Sequence, residues 1–196
     1  MPKIVDHEQR RQHIAEATWQ VILKHGIEGA TVRQIAKEAN LTLGSLRHYF
    51  ASQEELLIYA MKLVKERATH RVAAIVELDL PPAEKVMRIL LELVPTNEQT
   101  VAEMQVWLAF TVYARHKITL FDALHDGIYT GIKQLILYMD KSQLLRSGLD
   151  LEIESEKLYA IVDGIALHAF LDPHRLTSER IVSVLQSYLA SIMVDG

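Results

Sequence analysis

The chain has 196 residues, a formal net charge of −4, 49% apolar side chains and no cysteine. Without cysteine there can be no disulfide scaffold, thiolate metal site or cysteine nucleophile, and the acidic balance argues against indiscriminate binding to nucleic acid. Only 8 glycines and 5 prolines interrupt the chain, which favours long helices over many short strands.

Apolar residues recur at helical spacing from the start. A first helix over 7–25 carries a stripe of Ile14, Ala17 and Val21, with Trp19 from the flank, and Gly26 suits a left-handed C-cap. "TVRQ" has the form of a capping box on Thr31 and Gln34, opening a second helix over 32–39 that Asn40 can end in the left-handed region. Thr42 offers an N-cap oxygen for a third helix over 43–49. Ser52 and Glu55 form another box, opening a long fourth helix to residue 79, which "LPP" at 80–82 stops. A fifth helix covers 83–94. Thr96 and Gln99 repeat the box and start a sixth, to residue 115. Residues 118–145 read as one helix or two, weakened at Gly127 and Gly131. "RSGLD" at 146–150 is a turn, and helices over 152–171 and 178–193 follow, separated by "DPHRLT". The fold class is therefore all-α with nine helices and no strand. The N-terminal segment is charged and lacks the apolar stretch of a secretory signal. No run reaches the roughly 18 apolar residues a membrane span needs. The expected location is the cytoplasm.

Charge is unevenly spread. Residues 1–50 hold seven Lys/Arg against five acids, whereas the remainder holds fourteen against twenty. A mildly basic head on an acidic body implies that only the head meets a polyanion. In that head the second and third helices are each about two turns long, joined by Asn40, Leu41 and Thr42 alone, which is helix-turn-helix spacing. Ile35, Ala36, Ala39 and Leu41 on one side, and Leu46, Tyr49 and Phe50 on the other, can share a small core with the first helix. That leaves Thr42, Leu43, Ser45, Arg47 and His48 outside, a density of donors suited to a DNA major groove. Gly44 has no side chain, so the backbone there can approach a duplex closely. Thr31, Thr42 and Ser52 each sit at a helix N-terminus, where free amides favour phosphate. Arg33 and Lys37 add charge on the second helix.

"GATVRQIAKEANLTLGSLRHYFASQEELL" resembles the N-terminal DNA-binding module of the TetR family of transcriptional repressors. The shared features are the glycine-threonine entry, I-A-x-x-A in the second helix, G-S-L-x-x-Y-F in the third and E-L-L opening the fourth. Arg47 stands where the family most often has an aromatic. "GSLRHYF" and "DGIALHAFLDP" resemble instead the subgroup around the choline-responsive repressor BetI. Position 53, often lysine, is glutamine. The resemblance implies phosphate contacts by Thr31, Arg33, Tyr49 and Ser52, and groove contacts by Thr42, Leu43, Ser45, Arg47 and His48. It implies a DNA-binding domain over 1–51 and a ligand-binding and dimerisation domain over 52–196.

A single short recognition helix reads too few bases, so a homodimer on a palindromic double-stranded operator is expected. The last two helices offer the seam. Leu158, Ile161, Val162, Ile165 and Ala169 form one apolar face, and Ile181, Val184, Leu185, Tyr188 and Leu189 the other. The resemblance implies a four-helix interface built from them. Met61, Met87, Met104, Trp107, Phe110, Tyr113, Phe121 and Tyr129 could line a chamber for a small apolar or cationic effector, since aromatic faces attract quaternary cations. An effector that prefers one arrangement of the dimer would release the operator.

Rival readings are weaker. Ser45 and His48 lack an orienting carboxylate and an oxyanion loop, so no enzyme is expected. His168 with Asp172, and Asp122 with His125, have metal-ligand spacing, but two ligands do not make a site. Neither metal nor cofactor is expected. The alternative is a helical interaction module that dimerises without binding DNA, which would show no salt-sensitive DNA affinity.

Overall fold

The computed structural model describes residues 7–114 and 127–194. Among the described residues there are nine helices: α1 (His7–Gly29), α2 (Val32–Glu38), α3 (Leu43–Tyr49), α4 (Gln53–Val76), α5 (Pro82–Glu92), α6 (Glu98–Ala114), α7 (Gly127–Lys141), α8 (Leu151–Leu171) and α9 (Ser178–Ile192). The only pairing of strand type among them is an isolated bridge between Leu145 and Met193. No helix of the described residues is long and apolar enough to cross a membrane.

Local chemistry sets the boundaries. Gly26 adopts φ 69°, kinking α1 where a left-handed residue was expected, and one further helical turn carries α1 to Gly29. Thr31, Thr42 and Ser52 accept the Gln34, Ser45 and Glu55 amides respectively. The α6 cap differs from expectation by one residue. Asn97 Oδ1 accepts the Thr100 amide at 3.0 Å and Thr100 Oγ1 accepts the Asn97 amide at 3.1 Å, so the reciprocal box is Asn97–Thr100 rather than Thr96–Gln99. A short hydroxyl thus takes the role usually filled by Glu or Gln. Asp150 caps α8 through the Glu152 and Ile153 amides, and Thr177 caps α9.

Packing divides the chain into two units. Among the described residues, the first comprises 7–67 and 105–114, the second 68–104 and 127–194. In the first, Ile14, Val21, Ile35, Leu46, Phe50, Leu56 and Met61 belong to one buried cluster, to which α6 adds Val106, Phe110 and Ala114. Trp19, expected at the flank of α1, is buried there and donates through Nε1 to the Ala60 carbonyl at 3.0 Å. The second unit has its own cluster: Val86 and Leu90 of α5, Ile132, Ile136 and Met139 of α7, Leu158 and Val162 of α8, Ile181 and Leu185 of α9. Packing therefore divides the chain elsewhere than the functional assignment of 1–51 and 52–196, because α4 and α6 each contribute side chains to both clusters' units.

Both faces of the expected dimer seam lie largely in this core. Leu158, Val162, Ile165, Ile181, Leu185 and Leu189 are at most 6% exposed within their own unit, while Ile161, Ala169, Val184 and Tyr188 pack partly buried against them. An i, i+3, i+4 apolar pattern identifies a buried stripe but not the body that buries it. The large apolar side chains that α8 leaves exposed are Ile153, Leu167, Phe170 and Leu171.

Candidate nucleic-acid interface

The turn between α2 and α3 is a Schellman motif. Leu41 N donates to Ala36 O at 2.8 Å and Asn40 N to Lys37 O at 3.2 Å. Asn40 takes φ 54°, the left-handed conformation that asparagine tolerates better than most residues. Leu41, the residue after it, packs on the first cluster. His13 on α1 lies with Nε2 3.2 Å from the Ala39 carbonyl, so the end of α2 is also held from α1.

These bonds leave α3 with two faces. Leu46 and Phe50 are each 1% exposed and anchor it in the first cluster, with Tyr49 half-buried beside them. Thr42, Gly44, Arg47 and His48 are exposed, and Leu43 and Ser45 are partly so. Thr31, Arg33, Lys37 and Ser52 are exposed around this helix. The predicted groove and phosphate contacts therefore fall on the accessible side of α2, α3 and the start of α4. Gly44 is open as well: a Cβ built there would meet nothing nearer than Thr42 Oγ1 at 4.0 Å. The head has no internal reason to exclude a side chain at this position.

Three features were not read from the sequence. Gln53, at the position where a lysine would offer a cation, donates instead from Nε2 to the Ala30 carbonyl at 2.9 Å, fastening the start of α4 to the entry of α2. The His7 ring lies 4.9 Å from that of Tyr49, and the His48 ring 5.4 Å from it, so the end of α3 meets the start of α1. Arg11 reaches the same end of α3. The Gln53–Ala30, His7–Tyr49 and Arg11–Tyr49 contacts had no sequence signal, because each joins residues far apart in the chain.

The predicted effector residues fall in both units. Met61 and Phe110 are buried in the first unit, with Trp107 and Tyr113 packed against the same cluster. Met87 packs on the second cluster, Tyr129 meets the Tyr159 ring at 5.4 Å, and Met104 is half-buried. Phe121 lies outside the described residues, as do Asp122 and His125. Asp172 follows α8 as its C-cap and accepts the Arg175 amide through Oδ1, while the His168 carbonyl accepts the Asp172 amide.

A helix-turn-helix anchored in a small helical head, presenting a polar, cation-flanked third helix, defines a DNA-binding transcriptional regulator. Residues 14–60 match the family of bacterial regulatory proteins of the tetR type, and residues 82–194 match the BetI-type transcriptional repressor C-terminal family. The HTH-type transcriptional regulator PksA of Bacillus subtilis strain 168 is 59% identical over 195 residues, spanning 100% of this chain and 95% of that protein. The chain belongs to the TetR family of transcriptional regulators. It is also 26% identical over 199 residues to the regulator BetI of Vibrio atlanticus, spanning 96% of this chain and 94% of that one. Among solved structures, a transcriptional regulator from Rhodococcus sp. Rha1 superposes with a TM-score of 0.80 at 26% identity, over 93% of this chain and 95% of its own. A regulator from Saccharomonospora viridis, solved in complex with choline, superposes with a TM-score of 0.85 over 96% of this chain and 100% of its own. At 20% identity that likeness is one of fold.

Proposed function

We propose that the chain is a homodimeric repressor that grips a palindromic double-stranded DNA operator through two copies of α3 and is released by a small apolar or cationic effector. The observation that carries this reading is the two-sidedness of α3. Leu46 and Phe50 are used inside the head, and Leu43, Gly44, Ser45, Arg47 and His48 are left for an outside partner. Thr31, Arg33, Tyr49 and Ser52 flank them as phosphate contacts. Phosphate contacts set register while base contacts set sequence. Two recognition helices then need half-sites spaced by a helical turn of DNA or a multiple of it.

The dimer is supported by α8. Ile153, Ala160, Gly164, Leu167 and Leu171 recur at helical spacing along one line, and each is exposed or half-exposed. A second copy would cover them, together with the partly exposed Ile161, Ala169, Val184 and Tyr188.

For the effector, the support is chemical. Trp107 and Tyr113 are incompletely buried aromatics about one and two-thirds turns apart on α6, where an aromatic face can hold a cation. The regulator of like fold from Saccharomonospora viridis binds choline. Operator binding places the chain in the cytoplasm, and nothing in this reading needs catalysis or a cofactor.

The test is selection of bound fragments from genomic DNA, followed by fluorescence anisotropy over a salt series. Binding through phosphates weakens steeply with salt. Retention of no DNA, with dimerisation intact, would establish the interaction-module reading instead. Addition of choline or another quaternary ammonium to the complex tests the effector class, and an unchanged operator affinity across such compounds would remove it.

A further inference from the structure

Arg11 lies on α1, outside the helix-turn-helix and outside every predicted contact, yet its guanidinium closes the end of the recognition helix. Nη1 donates to the Tyr49 carbonyl at 2.7 Å. That carbonyl is among the last four of α3, which have no partner within the helix. The guanidinium carbon stands 4.2 Å from the centre of the Phe50 ring and 4.7 Å from that of Tyr59. Nη1 and Nη2 both lie 3.3 Å from Glu55 Oε1. The second oxygen of Glu55 accepts the Ala51 amide at 2.8 Å, and the Glu55 amide donates to Ser52 Oγ at 3.0 Å.

One ion pair thus grips the backbone at two points around the α3–α4 connection: the carbonyl of Tyr49 before it and the amide of Ala51 within it. Tyr49 and Ser52 are the two side chains at this end of α3 that the proposed function sets against phosphates. An arginine suits the task because its rigid planar fork holds direction as well as charge and stacks on rings, which a lysine cannot reproduce. Only 21% of its side chain is exposed, so little of it is left for an outside partner.

We infer that Arg11 is a positioning residue for DNA binding, acting through Glu55 to set Tyr49 and Ser52 at the phosphate backbone without touching DNA. The inference rests on the proposed contacts of those two residues.

The test uses the full chain and an operator fragment recovered by genomic selection, with affinity measured by anisotropy over a salt series and folding followed by circular dichroism. Arg11→Lys should fold and bind about tenfold more weakly, with the slope of log affinity against log salt unchanged. Glu55→Gln should act in the same direction, and it carries the test if Arg11→Lys does not fold. In a Tyr49→Phe, Ser52→Ala background the Arg11→Lys loss should shrink below about threefold, as coupled residues require. A slope reduced by about one in the charge-removing Arg11→Gln would make Arg11 a direct phosphate contact and overturn the inference. Unchanged affinity in a folded Arg11→Lys chain, or fully additive losses, would overturn it too. Should Tyr49→Phe, Ser52→Ala bind like the parent while Arg11→Lys still loses affinity, the proposed contacts fall and this inference with them. A parent chain without salt-sensitive binding would mark the failure of the function itself.

Discussion

Arg71 holds both oxygens of Glu103, Nη1 to Oε1 at 3.0 Å and Nη2 to Oε2 at 2.7 Å, while its Nε donates to Glu92 at 2.6 Å. Glu103 is 7% exposed, and Gln99 donates to it as well. The end of α4 is therefore fastened to α5 and to the start of α6 within the second unit. Such a pair does little for stability against an apolar replacement, but losing one partner strands a buried charge. Arg71→Met should cost about 3 kcal/mol in urea denaturation. A loss below about 0.5 kcal/mol would mean that water replaces the guanidinium freely.

Arg47 is exposed on α3 and makes no contribution to the buried cluster. Arg47→Ala should leave the melting temperature unchanged and cost about 1–3 kcal/mol of operator affinity, with relaxed preference at one base pair. Binding to operators altered one base pair at a time checks this. An equal loss on every sequence would make Arg47 a phosphate contact.

Gly44 separates folding from binding more sharply. A glycine in a helix is about 1 kcal/mol less favourable than alanine, and the space around this one admits a methyl group. Gly44→Ala should raise head stability by up to about 1 kcal/mol and weaken operator binding. Stability and affinity rising together would show that the duplex does not approach this backbone.

On α8, Leu167 and Leu171 are 44% and 64% exposed. Leu167→Glu should leave each subunit folded and shift the sedimenting species from dimer to monomer, with loss of operator binding. An unchanged sedimentation coefficient would move the seam off this line of α8.

Tyr188 donates to Glu154 Oε2 at 3.0 Å, and burial, followed by that carboxylate, pushes its phenol above the ordinary tyrosine value. Burial and then Glu8 do the same to Tyr59. The unfolded chain releases these protons near pH 10 while the folded chain retains them. Their contribution is thus complete below about pH 10 and disappears as pH rises through the folded values. The melting temperature should fall above about pH 10, less steeply in Tyr188→Phe. An ultraviolet titration of tyrosinate in the folded protein provides the check, and Tyr188 ionising at the free value would contradict it.

Most helix boundaries were legible because they depend on neighbours within four residues. Thr31, Thr42 and Ser52 cap their helices as their spacing implies, Asn40 adopts the left-handed conformation that its type permits, and Gly26 takes a positive φ but with an extended ψ of 173°. The α6 cap was misplaced because threonine at the third position of a box is a weak signal beside glutamine. The exposed face of α3 was legible for the same local reason: once Leu46 and Phe50 turn inward, the helix period sends Arg47 and His48 outward.

The chain's pattern by itself determined an all-α protein with a helix-turn-helix and the side chains that the third helix can offer to DNA. Tertiary structure alone decided that Leu158, Val162 and Leu185 lie in their own unit's core, that Met61 and Met87 belong to different clusters, and that Arg11 meets Tyr49 across 38 positions. Helical periodicity encodes which side of a helix is apolar, but not which body covers it. Contacts between residues far apart in the chain depend on three-dimensional closure, for which no short pattern exists.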